Sequence, residues 1–172
     1  MSQFATWLSQ TSLSLTFQVH EWIIPAVQSV HIIAIGIVLT AVLMVGLRVL
    51  GLAWRDQTLV ATTARFGPWL SWALVVLLLT GVVMVIGEPV RELMAFSFWA
   101  KMTLVAIGTI VALLFQRSLR THGPSWETSV GAQGSTKALA VVTFMLWICV
   151  VFLGRFIAYD HVWGSWSGSP KA

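Results

Sequence analysis

The amino-acid sequence predicts an all-α fold: a polytopic membrane protein with a four-helix transmembrane bundle behind an N-terminal interfacial helix, both termini on the same outer side. Three observations predict it. First, 58% of the 172 residues are hydrophobic and only 9% are charged, with a mean hydropathy of +0.87. Soluble domains carry about a quarter charged residues to keep their surface wet. Second, the chain holds four apolar runs of spanning length; roughly 20 residues at 1.5 Å each cross about 30 Å of hydrocarbon. Third, basic residues concentrate in the two loops on one side of those runs.

Residues 1–20 contain no Lys or Arg, so they lack the basic start of a secretory signal. Phe4, Trp7, Leu8 and Leu15 fall near one face of a helical wheel, with Ser, Gln and Thr opposite. That pattern predicts an amphipathic segment lying on the outer leaflet, although Leu13-Ser-Leu-Thr-Phe17 also alternates as a strand does.

The bundle is expected over residues 21–160. Its first span runs from Ile23 to Leu47 without a charge, with Pro25 in the first turn, where a missing N–H is harmless. The second runs from Phe66 to Gly87, with Pro68 placed in its first turn. The third runs from Leu93 to Phe115, interrupted by Lys101, and the fourth from Ala138 to Ala158, with Arg155 near its end. Open sheets cannot satisfy their edges in lipid, so helices are the assignment. Residues 161–172 are Gly- and Ser-rich and are expected to form a flexible tail. Tyr159, Trp163 and Trp166 form an expected outer aromatic anchor, and Trp54, Trp69 and Trp126 an inner one.

Loop charge sets the orientation. Arg48, Arg55 and Arg65 stand against Asp56 in one loop, and Arg117, Arg120 and Lys137 against Glu127 in the other. The opposite side carries Arg91, Lys101, Arg155 and Lys171 against Glu21, Glu88, Glu92 and Asp160. The positive-inside rule makes the two basic loops cytoplasmic, so both termini are periplasmic in a bacterial inner membrane. The formal charge of +4 is scattered without a basic stripe, which argues against nucleic acid. Cys149 has no intrachain partner and reads as a small buried hydrophobe.

A polar residue inside a span is costly and needs a reason. His31 lies roughly 10 Å into the first span, with Gln28 one turn earlier. The pair is expected to face the bundle. One reading is a histidine hydrogen-bonded to Gln28 or to a facing Ser or Thr, which only packs helices. Another is a metal site. His20 and His161 flank the outer ends of the first and fourth spans, and Met84, Met94 and Met102 lie on the same side. Imidazole with thioether suits copper, especially Cu(I), so His31, His161, His20, Met84 and Met102 form the candidate ligand set. A third reading is b-type haem, with His31 as axial ligand and Lys101 and Arg155 at the propionates. Lys101 and Arg155 also have a plainer role, reaching the headgroups and pairing with Glu88, Glu92 or Asp160. Glu88 and Glu92, separated by Pro89, read as a solvated loop turn. No HExxH, Walker A, GxSxG, CxxC or CxxCH pattern is present, so an enzyme is not expected.

Five short segments carry a family resemblance: Val30-His31-Ile-Ile-Ala, Leu47-Arg48-Val-Leu-Gly51, Leu79-Thr-Gly81, Phe98-Trp-Ala-Lys101 and Gly154-Arg155-Phe-Ile-Ala-Tyr159. With them the chain resembles small bacterial inner-membrane proteins of unknown function. It is also distantly similar to the transmembrane domain of the copper-resistance protein D (CopD) family, whose members carry more spans. The resemblance implies a four-helix unit with a histidine near the periplasmic face and a part in copper handling. The expectations therefore stand as a non-enzymatic inner-membrane protein with a periplasm-facing copper site that captures, stores or hands on the metal. The alternatives are a haem-binding electron-transfer subunit serving a periplasmic redox partner, and a structural subunit without cofactor. Gly36 and Thr40 offer a close-packing face for a homo-oligomer.

Overall fold

The computed structural model describes the backbone of residues 2–128 and 130–156 and the side chains of residues 3–125 and 134–156. Seven helices follow one another among them: α1 (Ser2–Ser9), α2 (Ser12–Val19), α3 (Ile23–Leu50), α4 (Leu59–Gly87), α5 (Pro89–Met94), α6 (Phe96–Thr128) and α7 (Val130–Phe156). Four of them, α3, α4, α6 and α7, are long and apolar enough to cross a membrane. The chain is a multi-pass membrane protein.

The long helices form a ring in which α3 and α6 each pack against both α4 and α7. Each neighbour in the ring runs antiparallel because short connections reverse the chain between spans. One face of each helix carries the core: Val38, Ala41, Val42, Leu70, Ala73, Ala112, Trp147 and Val150 form the central cluster. Val49, Leu59, Phe115, Leu119 and Ala140 form a second cluster toward the basic end. The opposite faces expose Ile32, Ile33, Leu78, Leu79, Leu114 and Phe152. In water such exposure would drive aggregation, whereas lipid is a matching solvent.

The helices outrun the apolar segments that predict them. At 28 and 29 residues, α3 and α4 exceed the length that hydrocarbon requires. The start of α4 is set by Thr58, whose Oγ1 accepts from Ala61 N at 3.1 Å. Pro68 consequently lies well inside α4, not in its first turn. The third span continues through Arg117 and Arg120 to Thr128. α3 stops at Gly51, whose φ of +74° closes the helix in the left-handed region, and Leu52 N bonds back to Leu47 O at 2.9 Å.

Three further expectations are corrected. The amphipathic segment is two helices, and the alternating stretch from Leu13 to Phe17 lies within α2. These helices bury small residues, Ala5 and Ser14, while Phe4, Trp7, Leu13 and Leu15 stay exposed. α1 packs on α5 and α2 on α4, so both sit at the end of the bundle where α4 gives way to α5. The Glu88–Glu92 turn is not solvated throughout: Pro89 begins α5 at a position where no N–H is needed, and Glu92 is buried. Cys149 faces outward on α7, since its i+1 neighbour Val150 occupies the core side. Trp126, Tyr159, His161, Trp163, Trp166 and residues 161–172 fall outside the described side chains.

Candidate functional site

At the end of the bundle that carries α1, α2 and α5, residues from all four long helices make a polar layer. On α3, His31 shares the inward face with Ala34 and Val38, at the three- and four-residue spacings that stack on one side of a helix. On α4 the same layer holds Thr80 and, one turn farther out, Met84. On α6 it holds Lys101, which shares its face with buried Phe98. On α7 it holds Gly154, where an added Cβ would stand 3.6 Å from Lys101 Cδ. That separation is ordinary van der Waals contact, so the lysine stem runs alongside Gly154.

The ring of His31 is tied across the α3/α4 seam, with Nδ1 2.7 Å from Thr80 Oγ1. The tautomer follows from the hydrogen-bond inventory. Thr80 has one hydroxyl hydrogen, and it points to Val76 O at 2.6 Å. Thr80 Oγ1 must therefore accept from His31, so Nδ1 carries the proton and Nε2 keeps its lone pair. Gly81 leaves space beside the ring, since its added Cβ would lie 3.8 Å from His31 Cε1.

Lys101 is within electrostatic range of both His31 and Glu92. Its ammonium sits 5.7 Å from the centroid of the Phe98 ring, a cation–π arrangement that softens its burial. Arg91 pairs with Glu88, and it reaches Glu92 at 3.4 Å. Two of the carboxylates that the sequence reading offered to Lys101 and Arg155, Glu88 and Glu92, are thus engaged by Arg91, and the third, Asp160, lies outside the described residues.

The other predicted site residues are dispersed. His20 lies between α2 and α3, exposed, its Nδ1 bonded to Thr16 O at 3.0 Å. Met102 is 40% exposed and points off the bundle, because it follows Lys101 by 100° of helix rotation. Arg155 is exposed one residue beyond Gly154. Gln28 is exposed and is not the partner of His31. His161 lies outside the described residues. The layer brings together His31, Thr80, Met84 and Lys101; of these only Thr80 had no numbered place among the candidates. Its signal was a hydroxyl beside a glycine at spanning depth.

Two proposed cofactors can be tested against this geometry. Among the described residues no group of three or more His, Cys, Asp and Glu is placed to hold a metal ion. A cation at His31 would also lie within electrostatic range of the Lys101 ammonium, which repels it. A haem needs space as well as ligands. The positions one to three turns inward of His31 are filled by Ala34, Val38 and Ala41, each at most 3% exposed. An internal cavity beside Gly46, Gln116 and Thr143 has a volume of about 30 Å³. That suits a water or two, against roughly 300 Å³ or more for a site of cofactor size. Neither the packed face inward of His31 nor this cavity offers space of that size.

The Thr80 contact is directly testable. Thr80→Val keeps the shape and removes the acceptor, leaving Nδ1–H without a partner. The expected loss of unfolding free energy is about 0.6 kcal/mol, up to roughly 1.7, measured by reversible unfolding in mixed micelles. Thr80→Ser should retain most of it.

Comparison with curated proteins gives no match, and comparison with solved structures gives none. Neither the geometry nor the comparisons tie the chain specifically to the copper-resistance protein D family. Residues 7–160 match a family of unknown function, DUF6644, a stretch that takes in all four long helices up to the end of α7, and the chain belongs to that family.

Proposed function

We propose that the protein is a non-enzymatic helical subunit of a bacterial inner membrane that works through its fold, with His31 as a clasp between α3 and α4. The observation that carries this reading is the His31–Thr80 bond at 2.7 Å, which uses the imidazole for packing across a seam. Lys101 and Gly154 complete the same packing layer on α6 and α7. The basic loops around Arg48, Arg55, Arg117 and Arg120 support a cytoplasmic placement for that end and a periplasmic one for both termini. The exposed large side chains of α1 and α2 support an interfacial seat on the outer leaflet. Gly36 and Thr40 face outward on α3, with open space at Gly36, which supports assembly with further copies or a partner helix.

One observation favours a second reading. The Nδ1–H tautomer leaves Nε2 free, and histidine ligands are commonly oriented by such a bond at their other nitrogen. With Met84 one turn farther out, His31 could present copper with an imidazole and a thioether.

A single preparation separates these readings. Purified protein should show no Soret band and should retain no stoichiometric copper after loading and desalting. His31→Ala should lower unfolding stability by about 1 kcal/mol and leave the metal content unchanged. A Soret band would establish the haem reading instead. One copper per chain that disappears in His31→Ala would establish the copper reading.

A further inference from the structure

The seam between α4 and α6 at the basic end carries chemistry that the outer layer does not use. Gly67 is buried on α4, and side chains from α6 close over it. The amide of Gln116 occupies the place where a Cβ would stand, and Arg120 Nη2 lies 2.8 Å from that point. Farther along the same seam, an added Cβ at Gly123 would lie 3.1 Å from Val60 Cγ2. These two close approaches fix the antiparallel register of α4 against α6. On α6, Arg117 lies one turn deeper than Arg120 on the same exposed stripe, whereas Arg65, two residues and 200° of rotation from Gly67, stands on the other side of α4.

All three arginines are exposed, and among the described residues none has a carboxylate partner. Arg65 rests 5.9 Å from the Phe66 ring, which holds its cation near the helix surface. The like charges of Arg117 and Arg120, one helical turn apart, repel unless an anion lies between them. Immediately toward the membrane centre the seam turns apolar. Leu113 is 41% exposed on α6, and Pro68 and Ser71 leave a shallow lane along the exposed edge of α4.

A cationic head site that opens onto an apolar lane at the interface matches an amphiphile of negative charge. Free phosphate would use the guanidiniums and leave the lane to bulk lipid. We propose that the Arg120–Gly67 seam binds an anionic phospholipid, with its phosphate held by Arg120 and Arg117 and one acyl chain lying along Leu113. The site needs the glycine, because a side chain at position 67 would push the guanidinium off the seam.

Native mass spectrometry of the full chain in mild detergent tests this, with phosphatidylglycerol and phosphatidylcholine of identical acyl chains as probes. The wild type should retain phosphatidylglycerol in preference to phosphatidylcholine. Arg120→Gln should weaken phosphatidylglycerol binding about fivefold, the effect of one arginine at a membrane surface. Gly67→Ala should weaken it in the same direction while keeping the helical circular dichroism, because the methyl displaces only the flexible tips of Gln116 and Arg120. Arg55→Gln is the control: its Nε is bonded to Gly51 O at the end of α3, away from the seam, and should change nothing. Equal retention of the two lipids overturns the proposal. So does an equal loss in Arg55→Gln, which would mark a diffuse charge effect. Displacement of the lipid by millimolar inorganic phosphate would mark a free-anion site and overturn it too.

Discussion

Trp147→Ala is expected to lower the unfolding free energy by about 3 kcal/mol, the low end of the range for truncating a buried tryptophan. The indole is 3% exposed and sits at the middle of α7 in the central cluster. Its ring atoms Cε2 and Cζ2 approach the Cβ position of Gly108 on α6 to 3.6 and 3.7 Å. The low end applies because the unfolded spans remain in lipid, so removing the ring forfeits dispersion contacts but little hydrophobic transfer. Trp147→Phe should behave quite differently. The indole Nε1 is buried and has no hydrogen-bond partner among the described residues. Phenylalanine removes that orphaned donor, which offsets the lost ring edge, so a change within about 1 kcal/mol is expected. Steric trapping or denaturant titration in bicelles would distinguish the two variants. A Trp147→Phe loss as large as that of Trp147→Ala would show that the donor has a partner after all.

The second large effect is expected on the other side of the same contact. Gly108→Leu must place a branched side chain where even a Cβ would stand 2.5 Å from Leu146 Cδ2. The expected cost is about 2–3 kcal/mol, from forced rotamers and a widened α6/α7 seam. The clash is specific, so it has a specific rescue. Gly108→Ala alone should be mildly destabilising, and Leu146→Ala should relieve much of that loss in the double variant. Unfolding measured around the full double-mutant cycle gives the coupling between the two positions. Strict additivity would mean that α6 and α7 do not meet in this register.

Much of the fold was legible because spanning imposes a crude requirement. A charge-free run such as Ile23–Leu47 cannot be anything but a helix through lipid, and α3 includes all of it. The helix ends were harder to read, since hydrophobicity stops at the interface while backbone hydrogen bonding does not. The segment Gln116-Arg-Ser-Leu-Arg120 is polar yet helical, and α6 continues through it. α4 begins seven residues before its apolar run, at a threonine cap that was readable in the sequence but lay outside the hydropathy pattern. Glu92 misled for a related reason. A glutamate near a proline reads as a solvated turn, and the packing of α1, α4 and α6 on α5 explains its burial.

The candidate site divides in the same way. The inward aspect of His31 follows from helical period alone, because Ala34 and Val38 extend its face. Gln28 does not belong to that face in the structure: Ala34 and Val38 lie to one side of His31 around the helix and Gln28 to the other, at the exposed rim of the apolar stripe. Met102 and Lys101 are sequence neighbours, yet one faces lipid and the other the bundle.

From the amino-acid order alone came the number of spans, the basic end and the depth of the one imidazole sunk well within them, since each depends on local hydropathy and charge. Tertiary structure decided which groups meet: His31 with Thr80, Lys101 with Gly154, Arg120 with Gly67. Those meetings depend on the register of one helix against the next. Register is set where glycines let backbones and long side chains approach, a long-range steric fit that no single helix encodes.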